Sequence, residues 1–495
     1  MGTMNRRSFC LSLGAALPAL SSIRSFARDS GPHSRPNIVY VLADDLGWGD
    51  LDAYNSYSAI PTPNANRLTS EGERFTDMHG SSAVCTPSRY SILTGRYCWR
   101  TRLKKGVLNG YSPNLIEPGR MTVASMLKSE GYYTAGVGKW HLGLGNEKVT
   151  DFSKPLRPGP IDHGFDYYFG IPASLDMPPY LYFENDHVVE QATSATPGSK
   201  AKTPIEEPRG VFWRPGAMAP DFSIPQVLPT ITNKAVDIIR SRAADPGTPF
   251  FLYVALPAPH TPWVPLPQYQ GKSRAGTYGD YVVETDAMLG RIMKALQEMG
   301  LASNTLLIFT SDNGADWKLQ DIDQFEHRAD GDWRGEKADV WEGGHRIPFI
   351  ARWPGHIHPG TVSHQLGSLT DLMATAAAII GFKLPPNAGV DSYNLLPALL
   401  GTAQMPIRNV VVSESVSGML TIREGNWKLE EGLGSGGFSS PRIVKPAPGG
   451  PKGQLYNLAI DPGELHNVYQ EHPEIVDRLT KLLQKYETQG YSRPM

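Results

Sequence analysis

Cysteine is scarce in this chain, with three among 495 residues, and that scarcity excludes a disulfide-built scaffold even in an oxidising compartment. No apolar run reaches the roughly 18 residues a membrane-spanning helix needs, so stable membrane insertion is not expected. Basic residues hold no excess: 47 Lys and Arg face 49 Asp and Glu, for a net charge of −2, which argues against nucleic acid as a partner. No internal repeat of solenoid length is visible. What the chain does have is 50 glycines and 42 prolines spread through its length, which suits an enzyme with many shaped loops. The length also suggests more than one domain.

Residues 1–27 read as an export signal. Arg6 and Arg7 precede an apolar stretch from Leu11 to Leu20, and Ser25-Phe26-Ala27 offers small residues for cleavage. The paired arginines point to the twin-arginine machinery and to a periplasmic or secreted product. That route carries folded proteins, so metal loading and any modification would precede export. Cys85 and Cys98 would be the cysteines left after cleavage.

Cys85-Thr86-Pro87-Ser88-Arg89 sets one cysteine in a frame of proline and arginine. Three readings of Cys85 stand open from the residues alone: a buried structural thiol, half of a disulfide with Cys98, or a thiolate nucleophile. Elsewhere, short apolar runs end in polar groups. Residues 36–43 stop at Asp44-Asp45, residues 250–256 lead to His260, and residues 305–310 end at Ser311-Asp312-Asn313. A weaker strand from Tyr132 to Val137 delivers Lys139 and His141. Helical patterns separate these runs at Met121–Ser129, roughly Leu228–Ala243 and Asp280–Met299. In the last, Val282, Val283, Leu289, Ile292, Met293 and Leu296 form one apolar face. Strands alternating with helices imply a largely parallel sheet with helices on both sides, and a ligand site beyond the strands' carboxyl ends.

Asp44, Asp45, Asp312 and Asn313 form a hard-oxygen donor set, which suits Ca2+, with Mg2+ second, and fits zinc poorly. Arg89, Lys139, His141, His260 and Lys337 would surround such a cation with positive charge and proton donors, in a pocket suited to a tetrahedral oxyanion. After about residue 390 the pattern changes to short antiparallel strands at 410–416, 419–422 and 427–429, a loop-like stretch at 432–453 and an amphipathic helix at 473–486. We read residues 36–389 as the catalytic domain and 390–495 as a smaller C-terminal α+β subdomain.

With these residues placed, the chain resembles the type I, formylglycine-dependent sulfatases, specifically the arylsulfatase-like group of the alkaline phosphatase superfamily. Ala83 to Arg89 with Leu93-Thr94-Gly95 looks like the first family signature, and Gly131 to His141 like the second. Further likenesses are Pro259-His260-Thr261-Pro262, Arg334 to Lys337 with Trp341 to Arg346, and Leu455 to Leu458 with Asp461 to Glu464. The resemblance implies an alkaline phosphatase-like fold: a large mixed, mostly parallel sheet sandwiched by helices, with a short antiparallel sheet near the C-terminus. It also implies that a maturation enzyme converts Cys85 to Cα-formylglycine. The hydrate of that aldehyde, bound to calcium, would attack a sulfate ester and pass through a covalent sulfo-enzyme intermediate.

By the same resemblance Asp44, Asp45, Cys85, Asp312 and Asn313 hold the metal, and Asp312 also helps deprotonate the attacking hydroxyl. His260 protonates the leaving oxygen, with Lys337 beside it on the sulfate. His141 is the base that collapses the intermediate, Arg89 and Lys139 hold the modified residue, and Ser174 lies near the sulfate. Asp52-Ala53-Tyr54-Asn55 departs from the cysteine or glycine-rich turn that relatives often carry there. A sulfated carbohydrate or small sulfate ester is the implied substrate. Candidate recognition residues lie at Asp176–His187, Trp213-Arg214, Trp263 and the Trp317–Trp333 loop with Asp323, Glu326, His327 and Arg328. A phosphodiesterase or phosphonate monoester hydrolase of the same superfamily, and a non-catalytic sulfated-glycan binding protein, are the alternatives.

Overall fold

The computed structural model describes residues 35–200 and 209–494. The export signal expected at 1–27 lies outside the described residues. Ten strands line up in the main sheet: β1 (Asn37–Asp44), β2 (Glu73–His79), β3 (Tyr133–Lys139), β4 (Tyr167–Ile171), β5 (Phe183–Glu184), β6 (His187–Val188), β7 (Phe250–Pro259), β8 (Thr305–Ser311), β9 (Arg346–Arg352) and β10 (Thr361–Ser363). Their order is β10-β2-β9-β8-β1-β7-β3-β4-β5-β6, with the two-residue strand Gly367–Ser368 attached to β2 as the eleventh. The five central strands, β8, β1, β7, β3 and β4, are mutually parallel, while β9 and β5 run antiparallel to their neighbours. This is the large mixed, mostly parallel sheet that the family resemblance implied, its parallel centre being what the strand and helix pattern implied.

Strand β1 shows why such a sheet needs cover on both sides. It is buried along all eight residues, and its side chains alternate between two cores. Val39, Val41 and Ala43 face a core built with α3 (Val227–Ala243) and α4 (Gly276–Glu298). Ile38, Tyr40 and Leu42 face the other, built with α1 (Cys85–Thr94), α2 (Val123–Ser129) and α5 (Leu372–Ile380). In α4, Val282, Leu289, Ile292, Met293 and Leu296 are buried as their spacing implied, each contributing about 1.5–3 kcal/mol. Val283 sits at the margin of that face and is part-exposed.

Residues Val410–Glu414, Leu420–Glu424, Trp427–Glu430 and Gln454–Asn457 form a four-stranded antiparallel sheet. Its core side meets α6 (Pro473–Gln489) through Leu479, Leu483 and Tyr486, and meets the larger body through Tyr97 and Trp99. Arg35–Met495 pack as one compact unit. Among the described residues no helix is long and apolar enough to cross a membrane.

Candidate active site

Register brings the polar ends of the parallel strands to one edge. Ala43 pairs with Ser311, Asp44 with Pro259, and Lys139 with Ile171, so Asp44, Asp312, Lys139 and His260 all emerge together. The approach is close. A side chain on Gly138 would meet the Ala255 carbonyl oxygen at 1.9 Å, so only glycine lets β3 and β7 deliver Lys139 and His260 side by side. Asp45 and His141 then leave their strands with left-handed backbones, at φ 63° and 56°.

Cys85 is the first residue of α1, and it is 2% exposed. One ligand atom from each of Asp44, Asp45, Cys85 and His260 lies within 4.8 Å of the others. Residues separated by up to 216 positions in sequence therefore share one small volume. The disulfide reading fails, since Cys85 and Cys98 are both free and buried. The thiolate reading fares no better: burial pushes the Cys85 thiol far above its ordinary range, with Asp44 adding to the shift and Lys139 and Lys337 only partly offsetting it.

The other expected residues close around this point. Lys139 Nζ donates to Asp44 Oδ2 at 2.6 Å, and Lys337 Nζ to Asp45 Oδ2 at 2.6 Å. Arg89 Nε donates to Asp312 Oδ2 at 2.9 Å, and its guanidinium lies 3.4 Å from Asp44 Oδ1. The Asp45 amide donates to Asp312 Oδ1, and Asn313 Nδ2 to Asp45 Oδ1 at 2.7 Å. Burial works against the Asp44 charge, but Lys139, His260 and Arg89 outweigh it and hold that carboxyl well below the usual range. Asp312 moves the opposite way, to about 7, pushed by burial and by the Asp44 charge beside it. The two carboxylates compete for the same positive charge, and another cation would let both ionise.

A test of the donor set is whether buried oxygens lack partners. Asp44 Oδ1 and Asn313 Oδ1 are both buried with no hydrogen-bond donor. Both are hard oxygens, in a group dominated by carboxylates, so the residues fit a divalent cation of the calcium or magnesium type.

The two histidines differ in which nitrogen is engaged. His141 is fully buried and its Nε2–H donates to the Leu108 carbonyl at 2.7 Å, which leaves Nδ1 as a lone pair with no partner. Burial, reinforced by Lys139 and Arg89, holds this imidazole neutral. His260 donates from Nδ1 to the Thr261 carbonyl at 2.6 Å and turns Nε2 toward Asp45 Oδ2 at 3.7 Å. Ser174 is buried three residues beyond the end of β4, the strand whose Ile171 pairs with Lys139, with its hydroxyl unpartnered.

Several recognition candidates turn out to be packing. Trp317 is 3% exposed among Trp263, Tyr278 and Phe325, and His327 is fully buried against Asp50 at 2.9 Å. The departure at Asp52–Asn55 is structural as well: Asp52 accepts from the Thr62 amide, and the Tyr54 hydroxyl donates to Phe349 O at 2.7 Å. What the residue patterns missed are backbone acceptors and their supports. The Leu108 carbonyl fixes the His141 tautomer, and Thr86 Oγ1 ties Cys85's neighbour to both His141 O and the Leu108 amide. A carbonyl has no side-chain signature, so nothing in the sequence marked position 108.

Comparison with known proteins places the chain in a family. A family model described as Sulfatase matches residues 36–382. The chain is 37% identical to an N-acetylgalactosamine-6-O-sulfatase of Bacteroides thetaiotaomicron, over 93% of this chain and 95% of that protein. It is 34% identical to human arylsulfatase A, over 90% and 87% of the two chains. A solved Bacteroides thetaiotaomicron structure from a locus for the metabolism of multiple glycosaminoglycans superposes with a TM-score of 0.81 at 36% identity, covering 92% of this chain and 100% of that one.

Proposed function

This chain belongs to the sulfatase family and is a sulfuric ester hydrolase; on that premise we propose that it removes sulfate from a sulfated carbohydrate, with residue 85 as formylglycine and Ca2+ as its metal. The observation that carries the reading is the meeting of Cys85 with Asp44, Asp45 and His260 within 4.8 Å. When present, the two groups supply a hydroxyl nucleophile at residue 85 and a Lewis acid that lowers its pKa and draws charge from the sulfate. Asp44, Asp45, Asp312 and Asn313 would hold the cation.

The chain's own side chains do the rest. Lys139 and Arg89 offset the carboxylates and fix residue 85 at the start of α1. Asp312, held by Arg89 and the Asp45 amide in the same pocket, takes a proton from the attacking hydroxyl. Lys337 binds the sulfate. His260 has Nδ1–H committed to a carbonyl, so a proton on Nε2 is the one it can hand to the leaving oxygen. His141 keeps Nδ1 open, and that lone pair is the base for the step that releases sulfate.

The likeness to an N-acetylgalactosamine-6-O-sulfatase across nearly the whole chain favours a 6-sulfated hexosamine as substrate. Cys85 is too deeply buried for another enzyme to reach, which supports its conversion by a maturation enzyme before folding completes. Arg6 and Arg7 support twin-arginine export to the periplasm afterwards. The test is a comparison of product release from N-acetylgalactosamine 6-sulfate, 4-nitrophenyl sulfate, and phosphate mono- and diesters. Sulfate esters should turn over at least about 100-fold faster by kcat/KM, a difference of about 2.7 kcal/mol in transition-state binding. Preference for a phosphodiester would contradict the reading.

A further inference from the structure

Where the edge of the main sheet meets the C-terminal sheet lies a cleft of about 460 Å3, a volume within the ordinary range for ligand pockets. Its wall takes Glu73 and Asp77 from β2, residues 362–366 from β10 and the segment after it, and Gly425-Asn426 from the turn between two strands of the C-terminal sheet. None of the residues assigned to sulfate chemistry lines it. At about 3.3 Å per residue, Glu73 stands about 20 Å along β2 from His79, the end of the strand that leads toward Cys85.

The charges in this wall are matched except for one. Arg423 bonds Asp77 through both terminal nitrogens, at 2.8 and 2.9 Å, and Arg346 adds a contact to Asp77 at 2.8 Å. Arg408 bonds Asp371 at 2.8 Å and the Tyr97 hydroxyl at 3.0 Å. The exposed His364 lies with Nδ1 2.8 Å from Thr76 Oγ1. Glu73 is the exception: it is 7% exposed, its Oε2 is buried with no donor, and among the described residues it has no ion-pair partner. Burial pushes its carboxyl up to about 7, with no neighbouring charge or hydrogen bond to oppose the shift. The neighbours decide what kind of cation fits. A divalent metal of the calcium type takes about six to eight oxygens, and the other carboxylate lining the cleft, Asp77, is already held by two arginines. An ammonium needs no such shell, since it is a compact donor of three hydrogen bonds. Around it the wall offers polar groups from Ser363, Asn409 and Asn426 and an apolar strip from Val362, Ala398 and Pro406, which suits a ring with hydroxyls on its rim and C–H groups on its face.

We propose that this cleft is a second ligand site, separate from sulfate chemistry, which binds a small polyhydroxylated amine of the amino-sugar type with its ammonium on Glu73 and its ring against the apolar strip. The site goes beyond the sulfatase reading and does not depend on it. Its occupant touches β2 and the C-terminal sheet at once, so binding stabilises the contact between the two sheets and raises the thermal midpoint.

The experiment is equilibrium dialysis of the full-length, metal-loaded protein at pH 7 against galactosamine and against N-acetylgalactosamine, two probes that share a ring and differ in whether the nitrogen is charged. Galactosamine should bind with a Kd below about 5 mM, and N-acetylgalactosamine at least tenfold more weakly. Glu73→Gln keeps the shape of the side chain and removes its charge; it should weaken galactosamine at least tenfold, while turnover of 4-nitrophenyl sulfate stays within twofold of wild type. Ala403→Trp, which places a bulky side chain in the wall of the cleft, should do the same. No galactosamine binding, equal affinity for the two probes, or galactosamine affinity that stays within threefold of wild type in either variant would overturn the site. The comparison of probes needs no variant, so misfolding cannot obscure it. Failure of the wild type to release sulfate would count against the sulfatase reading and leave this site standing.

Discussion

Two buried clusters of charge sit at the same edge of the main sheet, and we propose chemistry at only one of them. The first gathers Asp44, Asp45, Cys85 and His260, and the second gathers His79, Glu342 and His345; each brings its ligand atoms within 4.8 Å. Judged by residue type, the second is the better metal site. It differs because an encoded cation already completes it. Lys428 Nζ lies 2.7 Å from Glu464, 3.3 Å from Glu342 and 3.7 Å from Glu430, while Arg346 bridges Glu342 and Asp77 at 2.8 Å each. Both ring nitrogens of each histidine are engaged: His345 Nε2 lies 3.3 Å from Lys428 Nζ and 3.2 Å from the Val340 carbonyl, His345 Nδ1 lies 3.0 Å from His79 Nδ1, and His79 Nε2 lies 2.9 Å from Asp77 Oδ1. The first cluster has lysines and an arginine too, yet Asn313 Oδ1 and His141 Nδ1 have neither a hydrogen bond nor an ion pair, whereas the buried Glu342, Glu430 and Glu464 Oε1 atoms, which also lack a well-formed hydrogen bond, all lie within 3.7 Å of Lys428 Nζ. Polar atoms left open in a buried, charged pocket separate a working site from a structural one.

If that distinction holds, substitutions in the two clusters should fail in different ways. Cys85→Ala should lower kcat at least about 10^4-fold while the thermal midpoint moves by no more than about 3 °C, because the loss falls on the nucleophile and not on packing. A steady-state assay with differential scanning calorimetry checks both halves. Chelation, or Asn313→Ala, should remove at least about 100-fold of activity; added calcium should restore the chelated enzyme and raise its thermal midpoint, but do neither for a protein whose site needs no ion. Lys428→Met should do the reverse, costing about 3–5 kcal/mol of stability by stranding three buried glutamates, with kcat of the folded fraction within about threefold of wild type. Denaturant unfolding alongside active-site titration would show it.

The smallest effect concerns pH. Burial opposes the charge on Asp77, but Arg346, a hydrogen bond from His79 and Arg423 outweigh it and hold the carboxyl well below its ordinary value. A depressed folded pKa means stability that is complete above the unfolded value near 4 and is lost as pH falls below it. Asp77→Asn should flatten that acid limb by about 1–2 kcal/mol between pH 5 and pH 2, measured by urea midpoints. An unchanged limb would mean that the second cluster is not what acid disrupts.

The site was largely legible in the sequence because its residues sit where apolar runs stop. Asp44, Lys139, His260 and Asp312 each end a strand whose hydrophobic pattern is plain, and parallel pairing then aligns the ends. Strands β2 and β9 were not legible. Glu73–His79 has only Phe75 and Met78 as apolar residues, three positions apart, and Arg346–Arg352 carries Pro348 and an arginine at each end, so neither reads as a buried central strand. Helix α1 was hidden for a related reason. All ten of its residues are buried, polar ones included, so it has no amphipathic face to detect. The second cluster, drawn from residues 77 to 464, gave no local signal, since its members are matched across space and not along the chain.

The central claim is that residue 85 works as an aldehyde and not as a thiol. Mass measurement of the Cys85 peptide from active protein, matured in its native host before export, is the decisive check. An aldehyde at residue 85 makes that peptide about 18 Da lighter than the unmodified thiol form, in proportion to specific activity. Fully active enzyme with an unmodified thiol at residue 85 would contradict it.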